Sequence, residues 1–397
     1  MVMGTSGEKS TSQGLASRPI RVLFVSDHLG YDKGAAHGVT TYFQSVLSRL
    51  PSATITGIAC IFKDYHPAAQ QLASTGVNTI FFERAKWDPR ALLDLIGVIR
   101  SDQIDILHLH SMKVYLLGRV AAAITGVPAI LHFHDTNAPS RLIKCLQRLV
   151  KPWTTKAIAV SPHVKESVMV DYGIREDQIV ILPYGVNLSR FRSIDRHFSS
   201  IRDSLDIPRS APVVGVIGRM FEGKGQRRFL HHVPALVAQV PDAHILFVGE
   251  GPTRSECTSL ARKLNVESQT HFTGNRDDIP AVLADVDVVA SPSTLDEGFG
   301  LVLLEGMAAG KPVVGFDVGA APLLLGGNIA GKIVERGDYE SFAQALAERL
   351  MDRTMREHMG AAARHRALDF SLSMHVDQLC RIYAKVLQAK QIRQPRT

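Results

Sequence analysis

Short apolar runs recur along this chain in two series, and their alternation with helical patterns leaves few folds open to it. The first series is Ile20–Val25, Ile55–Phe62, Val77–Phe82, Ile104–His110, Ala129–His134, Lys156–Val160 and Gln178–Leu182. The second is Val213–Ile217, His244–Val248, Thr270–Thr273, Val286–Ala290, Val313–Phe316 and Lys332–Val334. Runs this short read as buried strands. Strands that alternate with helices predict an α/β fold with a parallel, doubly wound sheet. The pattern lapses over Gly185–Pro212, which reads as a connection, and 397 residues favour two domains over one. The expected organisation is therefore two sheets in tandem, residues 18–188 and 189–371, followed by a last helix within 372–397. Residues 1–17 are rich in Gly, Ser and Thr and lack an apolar segment, so they read as a disordered tail and not a signal peptide. Ligands of such sheets bind outside the carboxyl ends of the strands, which directs attention to the strand ends.

The most informative strand end is Asp296-Glu297-Gly298-Phe299-Gly300. A helix is predicted from about Gly300 to Ala309, apolar nearly all round and hence buried. Glu305 is the only ionisable side chain from Gly298 to Gly310. A carboxylate there must find donors or become neutral; a neighbouring Arg or backbone amide would serve, and so would a ligand's hydroxyls. Glu297 precedes the same helix, where the dipole favours an acid and where the amides of Phe299 and Gly300 could meet an anion. Upstream, Val213–Ile217 runs into Gly218-Arg219, then Glu222-Gly223-Lys224-Gly225, with a helix starting near Gln226. A guanidinium fork and an ammonium flanking a flexible loop suit a diphosphate, although both residue types are common on any surface. Gly249-Glu250-Gly251-Pro252 is a second Gly-rich strand end at the same rim. Asp285-Val286-Asp287 has the form of a metal-holding pair, but it enters a strand instead of leaving one, so no metal site is predicted.

In the first series, Gly38 opens a helix running to about Leu50, and a glycine there either lets a ligand approach the backbone or simply turns the chain. His108-Leu109-His110 and His132-Phe133-His134 end two strands. Alternate residues share a strand face, so these pairs could hold zinc or iron. No acidic cluster joins them, which favours a structural or substrate-binding role. His134, followed by Asp135 at a strand end facing the cleft, is the better catalytic contact. The four cysteines are scattered without a Cys-x-x-Cys, as expected in a reducing, cytoplasmic setting. Residues 1–188 carry 19 Lys/Arg against 14 Asp/Glu, and the remainder 26 against 24. This mild excess suggests an anionic substrate or surface and gives no support to nucleic-acid binding.

Together these segments resemble the retaining glycosyltransferases of family four, which have the two-domain B-type fold of facing Rossmann-like sheets. Glu297 to Glu305 matches the family's Glu-x7-Glu motif, and Gly218-Arg219 with Lys224-Gly225 matches its diphosphate loop. Asp105 to His110, Gly126 to His134, Val160-Ser161, Pro183 to Asn187 and Thr273 to Pro280 fall in family order, so the resemblance covers about Ile20 to Phe370. It implies that Arg219 and Lys224 hold the donor diphosphate and stabilise the leaving group. Glu305 would accept from the ribose diol, Glu297 and the amides of Gly298, Phe299 and Gly300 would contact the sugar, and His134 would sit near sugar and acceptor. Gly38 would let its helix approach the diphosphate, and Gly249, Gly274 and Asn275 would complete the donor site. The implied donor is a UDP-, GDP- or ADP-linked sugar, used without a further cofactor, and the implied acceptor a sugar, lipid-linked or small molecule. A similar two-domain epimerase or phosphorylase, or a silent nucleotide-sugar-binding protein, are the alternatives. The chain departs from the family at His37-Gly38, where a Gly pair is usual, and at Gly319-Ala320-Ala321-Pro322-Leu323, where Gly-Gly-x-x-Glu is usual.

One stretch stands outside this resemblance. In Pro139–Trp153, Arg141, Lys144, Arg148 and Lys151 recur at helical steps, and Thr136–Lys165 contains no acid. An ordinary surface helix would pack Leu142, Ile143, Leu146, Leu149 and Val150 on the sheet. The alternative is peripheral docking on an anionic membrane, each cation adding about 1 kcal/mol.

Overall fold

The computed structural model describes residues 18–29, 38–63, 72–84, 88–191 and 201–393. The tail expected at 1–17, His37 and the last residues 394–397 lie outside the described residues. Seven strands form the first sheet: β1 (Ile20–Ser26), β2 (Ile55–Ile61), β3 (Thr79–Phe81), β4 (Ile106–Leu109), β5 (Ala129–Phe133), β6 (Lys156–Ala159) and β7 (Ile179–Ile181). Six form the second: β8 (Val213–Ile217), β9 (His244–Val248), β10 (Thr270–Phe272), β11 (Val288–Ser291), β12 (Val313–Phe316) and β13 (Gly331–Val334). The orders are β3-β2-β1-β4-β5-β6-β7 and β10-β9-β8-β11-β12-β13, parallel throughout. Each sheet reverses its winding beside its first strand, so β1/β4 and β8/β11 are the switch points where ligands bind.

Every predicted strand is present, most within two residues of the expected ends. The helix expected from Gln226 is interrupted after Leu230 and resumes at Val233–Gln239. Pro234 has no N–H to give the Leu230 carbonyl, which breaks the ladder there.

The last helix, Leu372–Arg393, leaves the second sheet and returns to the first. The crossing is tied by Val186 N–H to Phe370 O and Leu372 N–H to Val186 O, both 2.9 Å. Leu372, Val376, Leu379, Ile382, Tyr383 and Val386 are buried in the same core as β1, β4 and β5. Each such side chain contributes about 1.5–3 kcal/mol on burial, so this helix is part of the first domain's core.

The helix Arg141–Leu149 corrects an expectation. The expected apolar residues are divided: Val150 is buried and Ile143 and Leu146 half-buried, but Leu142 and Leu149 are 70% and 73% exposed. Gln147 is buried among them. The cause lies on a neighbouring helix, where the buried Arg119 guanidinium needs an acceptor and donates to the Gln147 side-chain oxygen. Gln147 in turn donates to Met112 O at 2.7 Å. The basic residues are also divided, since Lys144 pairs with Asp171 at 2.5 Å and Arg148 donates to Val170 O at 2.7 Å.

Candidate active site

The second domain offers a rim of consecutive strand ends. Gly218, Gly249 and Gly274 follow β8, β9 and β10, and they are tied laterally: Gly218 N–H donates to Val248 O at 2.9 Å and Gly249 N–H to Gly274 O at 2.8 Å. Gly249 has φ +140°, and a Cβ there would collide with the Gly218 carbonyl, so only glycine lets these turns lie together. Asn275 follows on the exposed side. Arg219 is exposed on this rim, its guanidinium 5.6 Å from the Phe221 ring centre. The buried Gln226 side chain donates to Arg219 O at 3.0 Å and pins the loop from behind.

Lys224 ends the turn Glu222–Lys224, and its ammonium lies 2.6 Å from a Glu297 carboxylate oxygen. The predicted diphosphate loop and the predicted sugar-contacting acid thus meet. Neither charge is deeply buried, so the pair is a reversible contact that a phosphate could exchange into. Gly300, at φ +80°, begins the helix Leu301–Ala308. Glu305 on that helix has its pKa pushed up from 4.5 to about 7, chiefly by desolvation, with Arg190 opposing the rise. A carboxyl held neutral by burial gains its charge when hydroxyls or cations come to donate to it.

Across the cleft stands His134, directly after β5. A Cβ on Gly298 would collide with the His134 carbonyl oxygen, so a glycine is required for the two loops to approach. The approach is fixed by Thr136 Oγ1 donating to Asp296 O at 3.0 Å. Phe299 is buried edge-on to Tyr184, ring centres 5.4 Å apart. His134 is bracketed by a hydrogen bond between its Nδ1 and the Tyr184 hydroxyl and one of 2.9 Å between its Nε2 and His110 Nδ1. The helix Gly38–Leu47, which Gly38 opens, brings Tyr42 against His110, His132 and His134.

Beneath His134 the other histidines form a buried stack. His108 bonds to Tyr383 at 2.7 Å and to His132 at 3.2 Å. Burial holds His108, His110 and His132 well below the ordinary imidazole pKa, reinforced by their histidine neighbours, and pushes His375 down to about 4. They are neutral at physiological pH. His108, His110 and His132 are, among the described residues, the set able to hold a metal ion. Both ring nitrogens of His108 already serve Tyr383 and His132, so the stack reads as packing that supports His134. Asp285 and Asp287 are used structurally: Asp285 accepts from Ile201 N–H at 2.7 Å, and Asp287 accepts from Arg202 and Val213 N–H, both at 2.8 Å.

The structure adds Tyr42, Thr136, Tyr184, Arg190 and Asp296 to the site. Tyr184 was within reach of sequence reasoning, since it lies just past the end of β7. Asp296 and Thr136 adjoin predicted residues in sequence, but their bond to each other is long-range, and Tyr42 and Arg190 reach the site only through packing.

Comparisons with known proteins agree with this fold. The family described as Glycosyltransferase Family 4 matches residues 36–190, and Glycosyl transferases group 1 matches 198–366. The chain is 30% identical over 289 residues to the phosphatidyl-myo-inositol mannosyltransferase of Mycobacterium leprae, covering 71% of this chain and 74% of that one. It is 26% identical over 315 residues to the Escherichia coli UDP-Gal:alpha-D-GlcNAc-diphosphoundecaprenol alpha-1,3-galactosyltransferase, covering 76% and 81%. A Rickettsia africae glycosyltransferase structure superposes with a TM-score of 0.82 at 23% identity, over 93% and 99% of the two chains. The Anabaena HepE structure with UDP-glucose superposes with a TM-score of 0.78 at 20% identity, over 92% and 100%.

Proposed function

The chain belongs to glycosyltransferase family 4, and from that premise we propose a donor, an acceptor and a role for each residue at the cleft. It transfers a sugar from a nucleoside-diphosphate sugar to an acceptor hydroxyl with retention of anomeric configuration. In our reading Arg219 and Lys224 meet the donor diphosphate. Lys224 exchanges its bond to Glu297 for one to phosphate, which frees Glu297 for the sugar hydroxyls. Glu305 accepts from the ribose. As the bond from the anomeric carbon to phosphate oxygen breaks, fixed positive charge stabilises the departing diphosphate. The acceptor oxygen bonds to that carbon from the same face, and its proton passes to the departing phosphate. His134, oriented by Tyr184, lies beside both partners. No metal is needed for this charge balance. UDP-hexoses are the first donors to test, because the E. coli relative's name carries UDP-Gal; GDP and ADP sugars are the comparison set.

The acceptor we propose is lipid-linked, presented at an anionic membrane surface. The observation that carries this is the outward-facing apolar set Leu142, Leu149 and Trp153, 70%, 73% and 44% exposed, beside the exposed Arg141 and Lys151. Apolar residues ringed by cations are the pattern of an interfacial helix. The two relatives compared above are named for lipid-linked acceptors. No described helix is long and apolar enough to cross a membrane, so contact would be peripheral. Flotation with phosphatidylglycerol and phosphatidylcholine vesicles tests this. Binding to the anionic vesicles should weaken at high salt and be lost on combined Leu142→Ser, Leu149→Ser and Trp153→Ser substitution. Equal behaviour with both vesicle types would point to an acceptor free in solution.

A further inference from the structure

We propose that a cavity at the amino ends of β5, β6 and β7 binds one anionic amphiphile, a molecule with a phosphate headgroup and an apolar tail. The cavity has a volume of about 890 Å³ and lies between the first sheet and the helix Leu372–Arg393. Pro128 and Lys156, at the entries of β5 and β6, line one wall. His134 follows the opposite end of β5, so the donor cleft does not use this space. The volume falls within the roughly 300–1,000 Å³ typical of small-ligand sites.

Two features of the walls set the ligand's class. Ile382 and Val386, one helical turn apart and only 8% and 5% exposed, line the cavity with Val127 and Pro128 and make an apolar floor. Arg381 and Lys385, on the same helix and also one turn apart, line it as exposed cations. The lining holds five Lys or Arg residues against a single acid, Asp177. That acid is already engaged, since Arg175 donates to both its carboxylate oxygens at 3.0 Å and Lys156 donates to its carbonyl at 2.9 Å. Arg381 and Lys385 are thus left beside an apolar floor with no carboxylate in the lining to neutralise them. Inorganic phosphate would meet the cations and leave the floor wet. A neutral lipid would cover the floor and leave the cations unanswered. A phosphate-bearing amphiphile answers both, and a guanidinium fork suits its headgroup. Trp153 lines the same cavity at its exposed edge, the boundary position that indoles favour at lipid interfaces.

Dihexanoyl phosphatidylglycerol below its critical micelle concentration supplies the ligand without a membrane surface, so this test is independent of vesicle docking. The chain has two tryptophans, and a Trp87→Phe background leaves Trp153 as sole reporter. Its emission should shift saturably with this lipid, and not with dihexanoyl phosphatidylcholine or inorganic phosphate. Joint Arg381→Gln and Lys385→Gln substitution should weaken binding at least about tenfold. Ala389→Phe, an exposed position in the lining, should block the site with every charge in place, circular dichroism confirming the helix. An equal response to phosphatidylcholine or to phosphate, or unchanged affinity in both variants, would overturn the proposal.

Discussion

Replacing Glu305 by glutamine separates what this carboxyl does for folding from what it does for the donor. Its pKa is raised from 4.5 to about 7, first by desolvation, with Arg190 partly opposing. The folded chain therefore keeps a proton that the unfolded chain has lost between those values. Stability from this group is fully present below the unfolded pKa and is lost as pH rises through the folded one. The span corresponds to about 3 kcal/mol. Glu305→Gln preserves the shape and abolishes the titration. Relative to the unsubstituted protein, the variant should gain about 3 kcal/mol of unfolding free energy between about pH 4.5 and about pH 8. Urea titrations across that window measure it directly. A difference that does not change with pH would refute the claim that Glu305 titrates in the fold.

The same substitution should damage donor binding. Ribose hydroxyls donating to the carboxylate favour its ionised form, so donor affinity should rise as pH increases through about 7 in the unsubstituted protein. In Glu305→Gln that rise should vanish. Because a ribose contact serves ground and transition states alike, KM should increase with kcat little changed. A variant both more stable at high pH and weaker for donor would show a functional group kept at a folding cost.

Arg219→Ala should cost about 10²–10³ in kcat, as removal of one transition-state donor does, and steady-state kinetics should rank it well above Glu305→Gln in turnover loss. Transfer should survive exhaustive chelation; loss in EDTA with recovery on adding manganese would demand a metal on the diphosphate. Deleting residues 372–397 should abolish activity and loosen the first sheet rather than the second, because Leu379 is buried in its core and Tyr383 is hydrogen-bonded to His108; hydrogen exchange at β4 and β5 reads this out. Gly298→Val should lower turnover by driving a side chain into the His134 carbonyl, while thermal-shift binding of UDP to the second domain persists.

How far the site could be read in advance follows from where its contacts run. Strand ends are local features, and a Gly-rich turn after Val213–Ile217 or His244–Val248 is visible in a handful of residues. That is why Gly218, Arg219, Lys224 and Glu297 could be singled out, and why Lys224 and Glu297 meet. Partnerships across the fold leave no such trace. Tyr184 orients His134 from fifty residues away, Thr136 bonds Asp296 across 160, and Tyr383 reaches His108 across 275. The first lies within the first domain, the second joins the two domains, and the third depends on the returning helix Leu372–Arg393. The helix Arg141–Leu149 fails for a related reason. Amphipathic periodicity assumes that the apolar stripe seeks the core, but leaving one donor of a buried arginine unpaired can cost as much as exposing a leucine. Arg119, fully buried, therefore draws Gln147 inward and turns Leu142 and Leu149 out. The polar requirement of one buried guanidinium thus decides which face of a neighbouring helix reaches solvent, and with it the apolar surface through which the acceptor's membrane would be met.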